Sequence, residues 1–206
     1  NVGRNYPVAV PRVNDEFEGS LGLQWQWHAN PFKEWYTFHE GRLQLKAVQN
    51  YSQLGDLWFV PNLLLQKFPS PEFTVTAKMG FYPGMDGDRA GIVVMGNRWA
   101  FLVMEQQEGK IRISQYEGEH VRCDPGTILV ETVATTTKEC YLRVSVSEPG
   151  ICRFSYSYDA LTFIDIGREF QAQPGKWIGA KTGIFCLSPD IRPGVGYAEF
   201  DWFRVE

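Results

Sequence analysis

The chain lacks the common signatures of enzyme active sites. It has no G-x-S-x-G nucleophile elbow, no G-x-x-x-x-G-K-[ST] phosphate loop and no H-E-x-x-H zinc motif. Its three histidines, His28, His39 and His120, stand far apart, and none has a second histidine or a cysteine at ligand spacing. We therefore expect the histidines to have surface or hydrogen-bonded structural roles.

Long apolar runs and an excess of positive charge are also missing. No apolar run approaches the ~20 residues that span a bilayer. The net charge of −4 provides no basic field, so nucleic acid and anionic membranes are poor partners. The first residues lack a basic-then-apolar signal pattern, and Asn1 stands where an initiator Met would be. We expect a mature product or a segment cut from a longer chain.

Cysteine is scarce and shows no motif. Cys123, Cys140, Cys152 and Cys186 lack C-x-x-C spacing, which excludes the usual zinc and redox sites. Cys140 alternates with apolar residues and is predicted to face the core. Free thiols are the favoured state, and a disulfide remains the alternative.

Helical periodicity is nowhere sustained, whereas short strand signals recur between turn residues. This pattern predicts an all-β fold, an antiparallel two-sheet β-sandwich of the jelly-roll type, with about fourteen strands. Residues 1–13 are predicted to be a linker or strap and residues 14–206 a single module. The predicted strands lie near residues 23–27, 35–39, 42–47, 63–67, 73–81, 89–95, 100–105, 110–116, 128–132, 139–146, 152–158, 163–170, 182–187 and 198–205.

The two ends of the module are predicted to meet. Residues 196–205 alternate apolar and polar side chains and read as a final strand, and the first apolar stretch begins near Phe17. If these strands are neighbours, Asp201 approaches Asp15 and Glu16. Carboxylates gathered at one seam repel unless a cation lies between them. We therefore predict a structural calcium site with Glu16 and Asp201 as ligands.

Several predicted strands carry apolar side chains on both faces. Residues 91–95 and 99–104 are the clearest examples. A sandwich strand with one face in water should alternate more cleanly. The pattern therefore predicts that loops, another domain or a ligand covers the second face of one sheet.

Aromatic residues are abundant: seven tryptophans, nine tyrosines and fourteen phenylalanines. Trp25, Trp27 and Trp202 are expected in the core, where aromatics are ordinary fillers. Sugar rings stack on aromatic faces, and their hydroxyls pair with polar side chains. Tryptophans near strand ends or turns are therefore candidates for glycan binding.

Six segments, in this order, carry a family resemblance. They are residues 15–17, 23–31, 61–69, 86–91, 154–159 and 200–203. Together they resemble the C-terminal concanavalin A-like β-sandwich of many family-43 glycoside hydrolases, the β-xylosidases and α-arabinofuranosidases. The resemblance implies that a separate five-bladed propeller holds the catalytic carboxylates, so no catalytic residue is assigned to this chain. It also agrees with calcium between the first and last strands.

The function predicted from these observations is that of a non-catalytic module that binds or positions xylan- or arabinoxylan-type glycans of the plant cell wall. Its expected partner is a family-43 catalytic domain in the same polypeptide, and its expected location is secreted or periplasmic. Two alternatives remain: a purely structural module that buttresses the propeller, and a self-sufficient glycan hydrolase on the jelly roll. The predicted stacking residues are Trp58, Trp99, Tyr158 and Trp177, and the predicted hydroxyl partners are Gln66, Arg89 and Lys181.

Overall fold

The computed structural model describes residues 3, 10–49, 57–120, 126–189 and 196–206, and it is a two-sheet sandwich. This part of the chain contains fifteen strands and two short 3-10 helices, Lys33–Trp35 and Leu57–Phe59. The strands are β1 Gln26–Trp27, β2 Tyr36–His39, β3 Arg42–Lys46, β4 Val48–Gln49, β5 Leu64–Lys67, β6 Phe73–Tyr82, β7 Arg89–Met95, β8 Arg98–Gln107, β9 Lys110–Glu119, β10 Gly126–Thr135, β11 Glu139–Ser147, β12 Ile151–Ser157, β13 Ile164–Gln171, β14 Lys181–Ser188 and β15 Tyr197–Val205. The predicted all-β sandwich is confirmed.

The strands form an eight-stranded and a seven-stranded sheet. The eight-stranded sheet has the order β1-β5-β14-β7-β8-β9-β10, with β4 beside β14, and the seven-stranded sheet has the order β13-β12-β11-β6-β15-β3-β2. All pairs are antiparallel except the short β4–β14 pair. No helix in the described ranges is long and apolar enough to cross a membrane.

The main core lies between the two sheets. Strand β8 sends Ala100, Leu102 and Met104 into it, and each is fully buried. Burying one such Leu or Met side chain stabilises the fold by about 1.5–3 kcal/mol. The alternate residues of the same strand face away from the seven-stranded sheet.

These alternate residues form a second apolar cluster on the other face of the eight-stranded sheet. Val93, Phe101 and Val103 are buried there together with Leu57 and Leu63. The chain's own segment 57–63 therefore covers part of this face. The covering expected from the sequence is therefore present, and this part of the face is not open to a ligand.

The beginning of the module lies beside the last strand, as predicted. Asp15 and Phe203 form an isolated antiparallel bridge with two N–H···O bonds of 2.8 Å. Asn14 accepts a further hydrogen bond from the Val205 N–H through its side-chain oxygen at 2.7 Å.

A β-bulge changes the side-chain alternation of β15. The register shifts between Phe200 and Trp202, so Phe200 and Phe203 both enter the core. Trp202 points outward, where the Arg204 guanidinium lies 4.2 Å from its ring centroid. The expectation that Trp202 fills the core is therefore wrong, because the extra residue Asp201 inverts the pattern.

Three cysteines can be placed. Cys140, Cys152 and Cys186 are buried free thiols. Burial raises the pKa of Cys152 to about 12, so this thiol stays protonated. Cys123 and most of the 1–13 segment lie outside the described residues.

Candidate functional site

A cleft of about 350 Å³ opens at one end of the eight-stranded sheet. The end of β1, the 3-10 helix Leu57–Phe59, the β7–β8 turn and the segment before β14 all contribute to it. Its lining consists of His28, Trp58, Met95, Gly96, Gly175, Lys176, Trp177, Ile178, Gly179 and Lys181. Three predicted binding residues, Trp58, Trp177 and Lys181, therefore meet in one place.

Trp177 is the most exposed aromatic residue of the cleft. Its side chain lies in the connection between β13 and β14 and is 89% exposed. Gly96 lets this connection approach the sheet, because a Cβ at Gly96 would lie 1.8 Å from the Gln173 carbonyl oxygen. Trp177 and the adjacent Ile178, which is 44% exposed, form an exposed apolar patch, and such patches mark binding surfaces.

Trp58 is the second tryptophan of the cleft lining, and two histidines contact it. Its ring stacks on the His120 imidazole, with centroids 5.1 Å apart and an interplanar angle of 16°. Its carbonyl oxygen lies 3.0 Å from the Nε2 atom of His28. Burial lowers the pKa of His28, so at neutral pH the imidazole is uncharged and can donate this hydrogen bond.

Lys181 provides a cation at the base of the cleft. It is 7% exposed, and its ammonium donates a hydrogen bond to Gln26 Oε1 at 3.2 Å. The directly opposite residue on β5 is Lys67. Desolvation, and then the charge of Lys67, lower the pKa of Lys181.

The site can therefore offer two kinds of contact to a ligand. Trp177 and Trp58 present apolar ring surface, while Lys181 and Lys176 present N–H donors. Sequence reasoning found Trp58, Trp177 and Lys181 but missed Lys176, Met95 and Ile178, which no motif distinguishes. It also assigned His28 a structural role, and the bond to the Trp58 carbonyl agrees with that role.

Two predicted binding residues are not available to a ligand. Trp99 is fully buried in the second apolar cluster, where its Nε1 donates to Thr127 Oγ1 at 3.1 Å. Gln66 is 3% exposed and lies opposite Thr182, on the face of β5 that looks toward the other sheet. Both placements correct the expectation, because Trp99 is enclosed within the second apolar cluster and Gln66 lies between the two sheets.

Two others lie away from the cleft. Arg89 lies at the end of β7 away from the cleft. Its Nη2 atom is 3.8 Å from Glu105 Oε2, and its Cζ atom is 5.2 Å from the Tyr116 ring centroid. Tyr158 borders a separate open groove and donates to Thr135 Oγ1 at 3.1 Å. Neither residue can contact a ligand held between Trp58 and Trp177.

Glu105 is the carboxylate that β8 places on the second face of the eight-stranded sheet, and it is already hydrogen-bonded. It is fully buried, and the Tyr116 hydroxyl donates to its two oxygens at 2.8 and 3.0 Å. Glycoside hydrolysis needs two carboxyl groups that flank an open cleft at about 5–9.5 Å from each other. Strands β7, β8, β9 and β14 supply no second acidic residue on this face, so the geometry gives no support to a self-sufficient hydrolase.

The two predicted calcium ligands form ion pairs with arginine and lysine side chains of the protein. Asp201 pairs with Arg42 at 3.0 Å and with Lys78, and Arg204 holds both oxygens of Glu16 at 2.9 Å. The described ranges contain no group of three or more His, Cys, Asp or Glu side chains able to hold a metal ion. As placed, Glu16 and Asp201 do not fit a calcium site, since each carboxylate already has its counter-charge.

The fold agrees with a comparison with known proteins. Residues 14–206 match the family described as the β-xylosidase C-terminal concanavalin A-like domain. The chain belongs to this family, which confirms the resemblance seen in the sequence.

Relatives of the chain include larger proteins. A β-xylosidase of Formosa agariphila is 29% identical over 98% of this chain and 36% of its own length. A non-reducing end α-L-arabinofuranosidase of Bacteroides ovatus is 24% identical over 93% of this chain and 36% of its own length. The chain thus spans about a third of the curated relatives it matches.

Solved structures show the same fold. A GH43 protein of Bacillus licheniformis superposes with a TM-score of 0.78 at 22% identity, covering 93% of this chain and 38% of that one. A xylan β-1,4-xylosidase of Bacillus halodurans gives a TM-score of 0.78 at 16% identity, covering 100% of this chain and 41% of that one.

Proposed function

We propose that this chain is the non-catalytic C-terminal module of a family-43 glycoside hydrolase and that it binds xylan-type glycan in the cleft between Trp58 and Trp177. The observation that carries the proposal is the 89% exposed indole of Trp177 beside the ammonium of Lys181. A pentose ring stacks its C–H face on an indole, and its hydroxyls accept hydrogen bonds from an ammonium. Membership of this family supports a glycoside hydrolase as the parent enzyme, because the relatives of the chain include a β-xylosidase and an α-L-arabinofuranosidase.

The expected affinity is modest. An open cleft of about 350 Å³ has room for one or two sugar rings and encloses neither fully. Dissociation constants on the order of micromolar to millimolar follow for such contacts. A module of this kind works on a polymer outside the cell, so we also propose a secreted or periplasmic location.

Calorimetric titration with neutral xylo-oligosaccharides tests the proposal. Trp177→Ala should weaken binding about 2- to 10-fold, because it removes the stacking surface. Since Trp177 is exposed, its loss should leave the melting temperature almost unchanged. Leu23→Ala, at another fully exposed apolar residue, is the matched control and should bind like the parent chain. No binding of any xylo-, arabino- or gluco-oligosaccharide would overturn the proposal.

A second candidate is docking onto the catalytic domain. The 3-10 helix beside the cleft exposes Phe59 at 62%, and Ile178 next to Trp177 is 44% exposed. Exposed apolar side chains at and beside the cleft also suit a protein interface. If this candidate holds, Phe59→Ala and Ile178→Ala in the full-length gene product should lower its melting temperature. The same changes in the isolated chain should have little effect.

A further inference from the structure

The cleft has a charge character opposite to that of the whole chain. The protein carries a net charge of −4, but the described residues that line the cleft include the cations Lys176 and Lys181 and no acidic residue. Neutral sugars need no such bias, since their hydroxyls pair equally well with carboxylates and amides. The composition of the lining therefore indicates a ligand that carries negative charge.

Lys181 is the cation best placed to meet that charge. It is 7% exposed, and its three N–H donors find Gln26 Oε1 as their one acceptor in the part of the chain that the structure describes. No described carboxylate lies within ion-pair distance of its ammonium. A lysine with this little exposure is normally paired, and none of the described carboxylates provides that pairing.

Lys67 adds to the excess of positive charge around Lys181. It faces Lys181 directly across the β5–β14 pair, and like charges at opposed positions destabilise a sheet. The lowered pKa of Lys181 reports the same unfavourable surroundings. An anion bound at Lys181 would relieve both the desolvation and the repulsion.

We infer that the cleft selects a uronic acid residue, with its sugar ring against Trp177 and its carboxylate on the ammonium of Lys181. This inference rests on the proposed glycan binding and names the class of sugar that the site prefers. The expected ligand is a xylan-type chain that bears an acidic sugar branch.

An acidic protein side chain fits the cleft less well. A single Asp or Glu carboxylate would reach Lys181 but would leave the indole of Trp177 in water. A cleft of about 350 Å³ is within the size range of small-molecule sites. A uronic acid fills both the aromatic and the cationic part with one rigid ring.

The test compares two ligands that differ in one group. The 206-residue chain is titrated with a neutral xylo-oligosaccharide and with the same oligosaccharide bearing one glucuronic acid branch. We expect the acidic ligand to bind about 3- to 10-fold more tightly, because a charge-assisted hydrogen bond replaces a neutral one. We also expect salt to weaken only the acidic ligand, since screening acts on the charge. Equal affinities, or an equal response to salt, would overturn the inference.

Variants then locate the preference. Lys181→Met keeps the length of the side chain and should weaken binding of the acidic ligand more than binding of the neutral one, so that the two affinities become equal. Lys46→Met, on the outer face of the seven-stranded sheet, makes the same charge change and should retain the preference. Loss of both ligands to the same degree in Lys181→Met would contradict the assignment. If Lys181→Met does not fold, the salt titration of the parent chain still decides.

The outcomes separate this inference from the function on which it rests. Neutral and acidic ligands that bind alike leave glycan binding intact and remove only the uronic acid preference. Binding of neither ligand removes both, and it favours a carboxylate of the catalytic domain as the group that meets Lys181.

Discussion

The Asp15 carboxylate accepts a hydrogen bond of 2.7 Å from the indole N–H of Trp25. It also accepts the Phe17 N–H at 2.8 Å and the side-chain amide of Gln24 at 3.3 Å. Phe17 has a φ of 53°, a conformation that non-glycine residues rarely adopt, and its side chain is fully buried. One carboxylate thus holds the turn that inserts Phe17 and Trp25 into the core.

Replacement of Asp15 by Ala should therefore destabilise the module. The indole N–H and the Phe17 N–H would lose a charged acceptor, which costs about 1–3 kcal/mol. Urea denaturation measures the change. Glu18→Ala, at an exposed neighbouring position, should change stability by less than about 0.5 kcal/mol. Equal effects of the two substitutions would show that the Asp15 contacts do not matter.

Gly118 should not tolerate alanine. The Trp99 indole lies over it, and a Cβ there would be 2.4 Å from Trp99 Nε1. We expect Gly118→Ala to cost about 1–3 kcal/mol through displacement of the indole. Gly126→Ala is the control, because a Cβ at Gly126 meets nothing within 4 Å. Thermal melts of both variants decide, and a stable Gly118→Ala would mean that Trp99 does not occupy this position.

His28 should make stability depend on pH. Burial lowers its pKa in the folded state below the ordinary value of 6.5. Its contribution is therefore complete above pH 6.5 and declines as the pH falls below that value, because the unfolded chain binds the proton first. We expect melting temperature to fall between pH 7.5 and 5 and to fall less in His28→Gln. His39→Gln, at the exposed end of β2, should follow the parent chain.

Calcium should leave the stability of the module unchanged. Glu16 and Asp201 already pair with Arg204, Arg42 and Lys78. The pairing with Arg204 also lowers the pKa of Glu16. Melting curves with a chelator and with excess calcium should coincide. A higher melting temperature in calcium would restore the site predicted from the sequence, and Asp201→Asn would then show whether Asp201 is a ligand.

The isolated chain should release no reducing sugar from xylan. Glu105, the acidic residue that β8 places on the second face, is buried and bonded to Tyr116. Activity that is lost in Glu105→Gln would contradict the non-catalytic assignment. Activity that Glu105→Gln retains would point to contamination by another enzyme.

The strands could be predicted because their signals are local. Strand β7 was expected at residues 89–95 and is found at Arg89–Met95. Each of the other predicted strands is present, with ends that differ by up to three residues. Alternation and turn residues act within one strand, so a single sequence contains them.

The site could be predicted only in part because it depends on contacts between distant segments. Trp99 looked accessible near a turn, but the separate segment 57–63 and Gly118 enclose it. The β-bulge at Asp201 turns the Trp202 side chain outward, and no glycine or proline at this point of the sequence marks the bulge. Trp177 was found because a position near a turn is a local property of the sequence.

The position of β15 makes it the last strand that the seven-stranded sheet can acquire during synthesis. This strand lies between β6 and β3, so it joins the β2–β3 hairpin to the β6-β11-β12-β13 group. Residues 197–205 are made after both groups. The facing edges of β3 and β6 therefore keep unpaired backbone N–H and C=O groups until this strand is added.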